Sequence, residues 1–248
     1  MQSASASTDT VRGDRDVTAS EWDAVFWDVG GVILDLESVT AGHRAFLRWL
    51  CETNGVCATP TEALETWRET LSAHFDAREG TEFIPARDGY AAAIESIVGA
   101  PFPRERWEDR FWETVAAYME PTPGSRDAIA ELSTLEPHLG VVSDADRDEL
   151  HFLLDEFEVH SHFDSIVTSE DVGRTKPDPA MFETALERAD ADPERSLMLG
   201  DRYRHDMVGA ARLGLTTVAY GARDGDAVDY RIESDLTEIL PIVYEERP

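Results

Sequence analysis

Short apolar runs recur along this chain, and each is followed by polar or glycine-containing turns. The first covers residues 24–27 and ends at Asp28 and two glycines. Runs of this length that are bounded by turn residues are typical of buried β-strands. The pattern therefore predicts five strands, at residues 24–27, 139–142, 165–167, 197–199 and 217–219.

Helical periodicity fills the intervals between the later strands. Single helices that alternate with strands predict βαβ units, and hence an α/β protein with a mostly parallel sheet. Ligands bind such sheets at the carboxyl ends of the strands. Asp28, Ser143 and Asp201 each directly follow a predicted strand, so we expect them to converge at that edge. The predicted helices cover residues 126–135, 149–157, 180–189 and 207–213.

One long segment breaks the alternation. It shows four helical patterns, near residues 39–51, 61–75, 88–98 and 104–118, and no clear strand. A helical insertion after the first strand predicts a cap domain over the site, with the prolines of residues 121–124 as the return to the core. The predicted organisation is a leader of disordered chain at 1–20, a core at 21–36 and 119–248, and a helical cap at 37–118.

The overall charge limits the classes of partner. The net charge is −29 and the acidic residues are spread along the chain, which argues against nucleic acid or an anionic membrane as a partner. Such uniform acidity is typical of proteins from salt-rich cytoplasm, where screening shortens the reach of self-repulsion. No apolar run has the length of a membrane span. The spacing of the two cysteines is not that of a metal site. We expect a cytoplasmic protein. The sequence does not indicate its oligomeric state.

Lysine occurs once, at Lys176, and the other 21 basic residues are arginines. Retention of a single ammonium group indicates a position where a compact, flexible cation is needed to neutralise a phosphate or a carboxylate. In a chain this acidic, an anionic substrate must be held by such a local cation or by a metal ion.

Three strand-end motifs carry candidate chemistry, and in one of them the Ser143 hydroxyl and the neighbouring backbone N–H groups could bind phosphate oxygens. Asp28 is followed by Gly30 and Gly31, which leave room for a phosphoryl group beside the backbone amides, and aspartate is an established covalent nucleophile. Asp201 and Asp206 offer the hard oxygen ligands that Mg²⁺ prefers. Each feature has an ordinary structural alternative: Asp28 could end a turn, and Asp206 could cap the helix that begins near Met207.

Taken together, four segments resemble the motifs of the haloacid dehalogenase superfamily in order and spacing. They are Val25-Phe26-Trp27-Asp28-Val29-Gly30-Gly31-Val32, Val141-Val142-Ser143-Asp144, Lys176-Pro177-Asp178-Pro179 and Leu199-Gly200-Asp201 to Asp206. The resemblance extends over about residues 22–240. It implies a Rossmann-like three-layer core with an inserted all-helical cap, and a phosphatase that acts on a small phosphorylated molecule.

The resemblance also implies site roles. Asp28 would attack phosphorus, with Ser143 and Lys176 as its catalytic partners. The substrate-binding set would be Val29, Gly30, Ser143, Asp144 and Lys176. Mg²⁺ would be held by Asp28, the Gly30 carbonyl, Asp201 and Asp206, where it would neutralise charge on the phosphoryl group.

One position departs from the phosphatase pattern. Phosphatases of the superfamily carry a second aspartate two residues after the nucleophile, and here that residue is Gly30. General acid–base catalysis is typically worth about 10²–10⁴-fold in rate. The sequence therefore leaves three alternatives: a phosphatase with a substitute acid or an undemanding leaving group, a 2-haloacid dehalogenase, or a non-catalytic protein that binds a phosphorylated ligand.

Candidates for a substitute acid are Asp35, Asp144 and His205. The acyl, aryl and anomeric sugar phosphates need less leaving-group protonation than alkyl phosphates. The intact pair Asp201 and Asp206 argues against the dehalogenase alternative, because the dehalogenases of this superfamily need no metal. In the cap, polar candidates for substrate contact are Arg44, Arg48, His74, Arg78 and Arg87, and we expect the cap's aromatic residues to form its core.

Overall fold

The core of the protein is a six-stranded parallel sheet in the order β3-β2-β1-β4-β5-β6. The computed structural model describes residues 21–55 and 59–244. The predicted leader at 1–20, Cys57 and the last four residues lie outside the described part. The strands are β1 (Ala24–Trp27), β2 (His138–Ser143), β3 (Ser165–Thr168), β4 (Ser196–Gly200), β5 (Thr216–Tyr220) and β6 (Tyr230–Ile232).

Helices cover both faces of this sheet, which makes the core a Rossmann-like three-layer α/β fold and confirms the predicted fold class. One face packs against Ile129, Leu154 and Ile239, and the other against Phe182 and Ala210. β1 is fully buried because it pairs with β2 and β4 and is covered on both faces. The core helices are α5 (Ser125–Leu132), α6 (Arg147–Glu156), α7 (Ser169–Val172), α8 (Pro179–Ala189), α9 (Val208–Ala211) and α10 (Ile239–Tyr244).

In the described part of the chain, four helices lie between β1 and α5, and they have a hydrophobic core of their own. Local signals start them: Asp35 accepts the Ser38 amide at 2.9 Å, and Thr59 and Glu62 form a reciprocal capping box. Phe46, Trp67 and Phe111 pack at the centre, so the aromatic residues do form mainly a small core. The four are α1 (Leu36–Asn54), α2 (Pro60–Asp76), α3 (Ala86–Val98) and α4 (Glu108–Ala116).

This helical segment touches the core through polar contacts at two places. The Asp146 carboxylate accepts hydrogen bonds from the Ala86 amide at 2.8 Å and the Arg87 amide at 3.1 Å. A core residue thus satisfies two amides in the first turn of α3 that have no partner within the helix. The α2–α3 connection lies against the Lys176 loop, where the Thr175 amide donates to the Thr81 carbonyl at 2.8 Å.

The structure differs from the predicted elements at several points. The strand β6 and the short helices α7 and α10 were not predicted. Residues 104–118 divide into a 3₁₀ turn and α4. Tyr203–Met207 forms a π-helical turn ahead of α9, so Asp206 is inside the turn and the alternative role as an N-cap is wrong. Among the described residues, no helix combines the length and apolarity of a membrane span.

Candidate active site

The predicted strand-end residues converge at the carboxyl edge of the sheet. Trp27 of β1 is in register with Val141 of β2 and Leu199 of β4. Asp28 therefore lies between the ends of these two neighbouring strands. Ser143 ends β2, and Asp28 and Ser143 are both almost fully buried.

Lys176 joins this edge from the loop before α8, and its side chain is fully buried. The ammonium nitrogen lies 2.8 Å from Asp28 Oδ1 and 2.6 Å from Asp206 Oδ1, and it donates to the Val142 carbonyl at 2.9 Å. Burial alone would lower the pKa of Lys176, but the charges of Asp206 and Asp28 outweigh it and raise the pKa to about 12. The side chain is therefore held as an ammonium.

Three carboxylates form a cluster around Lys176, and Arg202 lies at its edge, 4.0 Å from Asp201 Oδ1. Asp28, Asp201 and Asp206 each place one oxygen within 4.8 Å of the others. Burial raises the pKa of Asp28 to about 7 despite the attraction of Lys176, and burial together with Asp206 also raises the pKa of Asp201. Asp201 Oδ1 is buried without a hydrogen-bond partner. The cluster thus carries more negative charge than Lys176 balances, and this oxygen donor set fits a Mg²⁺ ion.

Glycines allow the backbone to approach these carboxylates closely. Gly31 has φ +78°, and a Cβ atom there would overlap the Asp201 carboxylate. A Cβ atom at Gly200 would overlap the Asp206 side chain. Gly30 differs, because a Cβ atom would meet only Leu36 Cδ2, at 3.8 Å. A side chain could therefore be accommodated at the position where the second aspartate is missing.

Asp144 organises the loops around the site. Its Oδ1 accepts the Lys176 amide at 2.7 Å, and its Oδ2 accepts Arg202 Nη2 at 2.7 Å. Burial would raise the pKa of Asp144, but a hydrogen bond to His205 and the charges of Lys176 and Arg202 hold it well below its usual range. A carboxylate held in this way is poorly suited to deliver a proton, which weakens the hypothesis that Asp144 is the substitute acid.

The other predicted site residues also contact the protein itself. Asp35 caps α1, and His205 Nδ1 lies 3.3 Å from Asp144. The Val29 amide donates to Asp28 Oδ1 at 2.8 Å and so orients that carboxylate. Three of the residues between β1 and α5 that were predicted to contact substrate make protein contacts: His74 with the Pro85 carbonyl, Arg78 with the Thr175 hydroxyl and Arg87 with Glu170.

Sequence reasoning missed two residues near this edge. Arg202 directly follows Asp201 and forms an ion pair with Asp144. Asp146 accepts a hydrogen bond from the Ala86 amide at the start of α3. Arg202 could have been found from the sequence, because it lies next to Asp201 in a predicted site motif. The contact between Asp146 and Ala86 spans 60 positions in sequence, and no local pattern indicates it.

A Rossmann-like core, a helical insertion after β1 and a Lys–carboxylate cluster at the carboxyl edge together define a class of α/β hydrolases. The chain belongs to the haloacid dehalogenase-like hydrolase family, whose model matches residues 26–220. The resemblance inferred from the motifs is thereby confirmed.

Relatives and solved structures agree with this assignment. The chain is 29% identical over 227 residues to a glyceraldehyde 3-phosphate phosphatase of Methanothermobacter thermautotrophicus, covering 88% of this chain and 94% of the relative. It is 26% identical over 151 residues to a ribulose-1,5-bisphosphate 5-phosphatase of Halopiger xanaduensis, covering 60% of each.

The described fold is also similar to solved structures of the superfamily. A magnesium-bound structure of the HAD-hydrolase YfnB from Bacillus subtilis superposes with a TM-score of 0.70 at 21% identity, covering 90% of this chain and 98% of that one. A 2-haloacid dehalogenase from Pseudomonas syringae pv. Tomato superposes with a TM-score of 0.67 at 25% identity, covering 90% and 97%.

Proposed function

We propose that this protein is a Mg²⁺-dependent phosphatase that hydrolyses a small-molecule phosphate ester through an aspartyl-phosphate at Asp28. The observation that carries the proposal is the buried Lys176 ammonium between Asp28 and Asp206, inside a cluster of three carboxylates. The relatives named as phosphatases for glyceraldehyde 3-phosphate and ribulose 1,5-bisphosphate support the same class of reaction. The proposed setting is a salt-rich cytoplasm, which a net charge of −29 suits.

In the first step, an oxygen of Asp28 forms a bond to phosphorus and the bond from phosphorus to the ester oxygen breaks. Lys176 balances negative charge on the transferring group, and the Ser143 hydroxyl at the end of β2 offers a hydrogen bond to a phosphoryl oxygen. Asp144 supports this step indirectly, because it accepts the Lys176 amide and so fixes the loop that presents the ammonium. Electrostatic stabilisation of this kind is usually the largest contribution to such catalysis.

In the second step, water attacks the aspartyl-phosphate, which releases inorganic phosphate and restores the Asp28 carboxylate. Asp28, Asp201 and Asp206, with the Gly30 carbonyl, would hold Mg²⁺, which supplies positive charge to the phosphoryl oxygens when bound. Charge balance supports this assignment, since burial raises the pKa of both Asp28 and Asp201 and a cation would favour both groups as carboxylates.

The leaving oxygen needs a proton unless it is already stable as an anion. Gly30 supplies none, and the three candidate substitutes are engaged elsewhere: Asp35 caps α1, Asp144 accepts the Lys176 amide, and His205 Nδ1 contacts Asp144. We therefore infer that the preferred substrates have good leaving groups, as acyl, aryl and anomeric sugar phosphates do.

The test is release of inorganic phosphate from acetyl phosphate and p-nitrophenyl phosphate in molar KCl, with Mg²⁺ or with EDTA. Wild-type protein is compared with Asp28→Asn and with Asp127→Asn, a matched change in the first turn of α5, away from the site. We expect release that requires Mg²⁺ and Asp28 and that Asp127→Asn retains. Undiminished release by Asp28→Asn would overturn the proposal.

The same preparations distinguish the alternatives. Chloride release from 2-chloropropionate without metal would indicate a dehalogenase. Stabilisation by a phosphorylated ligand without any release would indicate a non-catalytic binding protein.

A further inference from the structure

A cavity of about 500 Å³ opens beside Asp201 on the side of the site formed by β4 and β5. Four cationic or potentially cationic side chains line it: Arg202, Arg204, His205 and Arg223. Among the described residues, Asp201 is the single acidic member of the lining, and no cap residue takes part. We call this space the arginine cavity.

This grouping of positive charge is unusual for such an acidic chain. The sequence has 51 acidic residues against 22 lysines and arginines. Arg202 is engaged by Asp144, at 2.7 Å. Across the described ranges 21–55 and 59–244, Arg204 and Arg223 have no carboxylate within ion-pair distance, although they are surrounded by an excess of acid. The arginine cavity therefore presents cations that the protein itself does not neutralise.

The wall of the cavity is ordered by Tyr203. The Arg223 guanidinium lies over the Tyr203 ring, 4.0 Å from its centre. A Cβ atom at Gly225 would overlap this same ring, so the loop after β5 packs directly against the loop after β4. Stacking on Tyr203 restricts the motion of the Arg223 guanidinium. A group that is already restricted loses less conformational entropy when it binds a phosphate.

We propose that the arginine cavity binds a second phosphate group of the substrate, so that the physiological substrates are small bisphosphates rather than simple monophosphates. This inference rests on the phosphatase function proposed above. Its geometric basis is Asp201, which belongs both to the carboxylate cluster and to the cavity lining. In this proposal, a molecule whose first phosphate meets Asp28 extends past Asp201 and places its second phosphate among the arginines.

A free phosphate ion has the same chemistry and is the other possible occupant. The two sources differ in one respect: only a covalently linked second phosphate increases the affinity and the turnover of the group that reacts at Asp28. The test therefore compares aryl phosphates that carry a second phosphate on a linker of increasing length with the matching aryl monophosphates, at one fixed salt concentration with Mg²⁺.

In the kinetic arm, we expect kcat/KM for the best bisphosphate to exceed that for its monophosphate by at least about tenfold, as a charge-assisted hydrogen bond permits. Arg204→Gln and Arg223→Gln should each reduce this preference by about tenfold. Arg212→Gln, an exposed arginine outside the cavity lining, is the matched control and should retain the preference. Equal kcat/KM for the two substrate types, or a preference that both cavity variants retain, would overturn the inference.

In the binding arm, calorimetry with the Asp28→Asn variant measures affinity without turnover. We expect tighter binding of the bisphosphate than of the monophosphate, and loss of the difference on adding Arg204→Gln. Binding of inorganic phosphate to the cavity with no gain for the bisphosphate would assign the site to a free anion and contradict the inference. Failure of the phosphatase proposal is distinguishable, because it abolishes release from every ester while the affinity difference in this arm persists.

Discussion

The Lys176 ammonium lies nearer to Asp206 than to Asp28, at 2.6 Å against 2.8 Å. All three side chains are almost fully buried. The single lysine of the chain is thus anchored by one carboxylate while it contacts the proposed nucleophile. Its role is structural as well as chemical, since without it two buried carboxylates would lose the ammonium that contacts both of them.

The first prediction concerns this pair. Lys176→Met should abolish phosphate release and should lower the free energy of unfolding by about 3–5 kcal/mol, because buried carboxylates are left uncompensated. Adding Asp206→Asn should recover part of that loss. Urea denaturation in EDTA measures the free energy of unfolding of the single and the double variant. Arg212→Met is the exposed control. Equal stability of Lys176→Met and wild type would show that the cluster is neutral in the folded protein.

The second prediction concerns the missing aspartate. Gly30→Asp should fold normally, because a Cβ atom there meets only Leu36 at 3.8 Å. It should raise kcat/KM for alkyl phosphates by up to about 10²-fold and for aryl phosphates much less, because only the former need a strong acid. Gly31→Ala is the contrasting change: φ is +78° and the new methyl group would overlap Asp201, so activity should fall. An equal gain on both substrate types would contradict this account of Gly30.

The third prediction concerns the contact between core and cap. Asp146→Ala should remove the acceptor for the Ala86 and Arg87 amides and lower the free energy of unfolding by about 1–2 kcal/mol. Hydrogen exchange at these two amides should accelerate. Asp148→Ala, an exposed neighbour in α6, should change neither quantity appreciably. Unchanged exchange in Asp146→Ala would mean that the contact does not hold the helix.

The fourth prediction concerns acid stability. Burial, with a smaller effect from Arg68, lowers the pKa of His43 to about 4. The ring packs against Trp67 and Phe111 at centroid distances of 5.2 and 5.6 Å. As the pH falls from about 6.5 towards 4, the unfolded chain binds a proton that the folded protein does not, so folding is destabilised by at most about 3 kcal/mol.

His43→Leu should remove this part of the pH dependence. The measurement is urea denaturation at several pH values between 7 and 4 for both proteins. Parallel stability curves over that interval would show that His43 titrates normally in the folded state.

The sequence by itself determined the alternation of strands and helices, the helical insertion after β1 and the strand-end positions of Asp28, Ser143 and Asp201. These features depend on local apolar runs and helical periodicity, and parallel strands bring their carboxyl ends to one edge. The elements β6, α7 and α10 were missed for the same reason, because such short segments show no clear periodicity.

Only the tertiary structure decided which charges meet. Lys176 and Asp206 are both buried because separate loops close over the sheet edge, and Asp144 is held as a carboxylate by Arg202 and the Lys176 amide. The arginine cavity likewise exists because the loops after β4 and β5 pack together through Tyr203 and Gly225. Ionic contacts of this kind depend on distance in space and on burial, and neither is encoded in the spacing of residues along the chain.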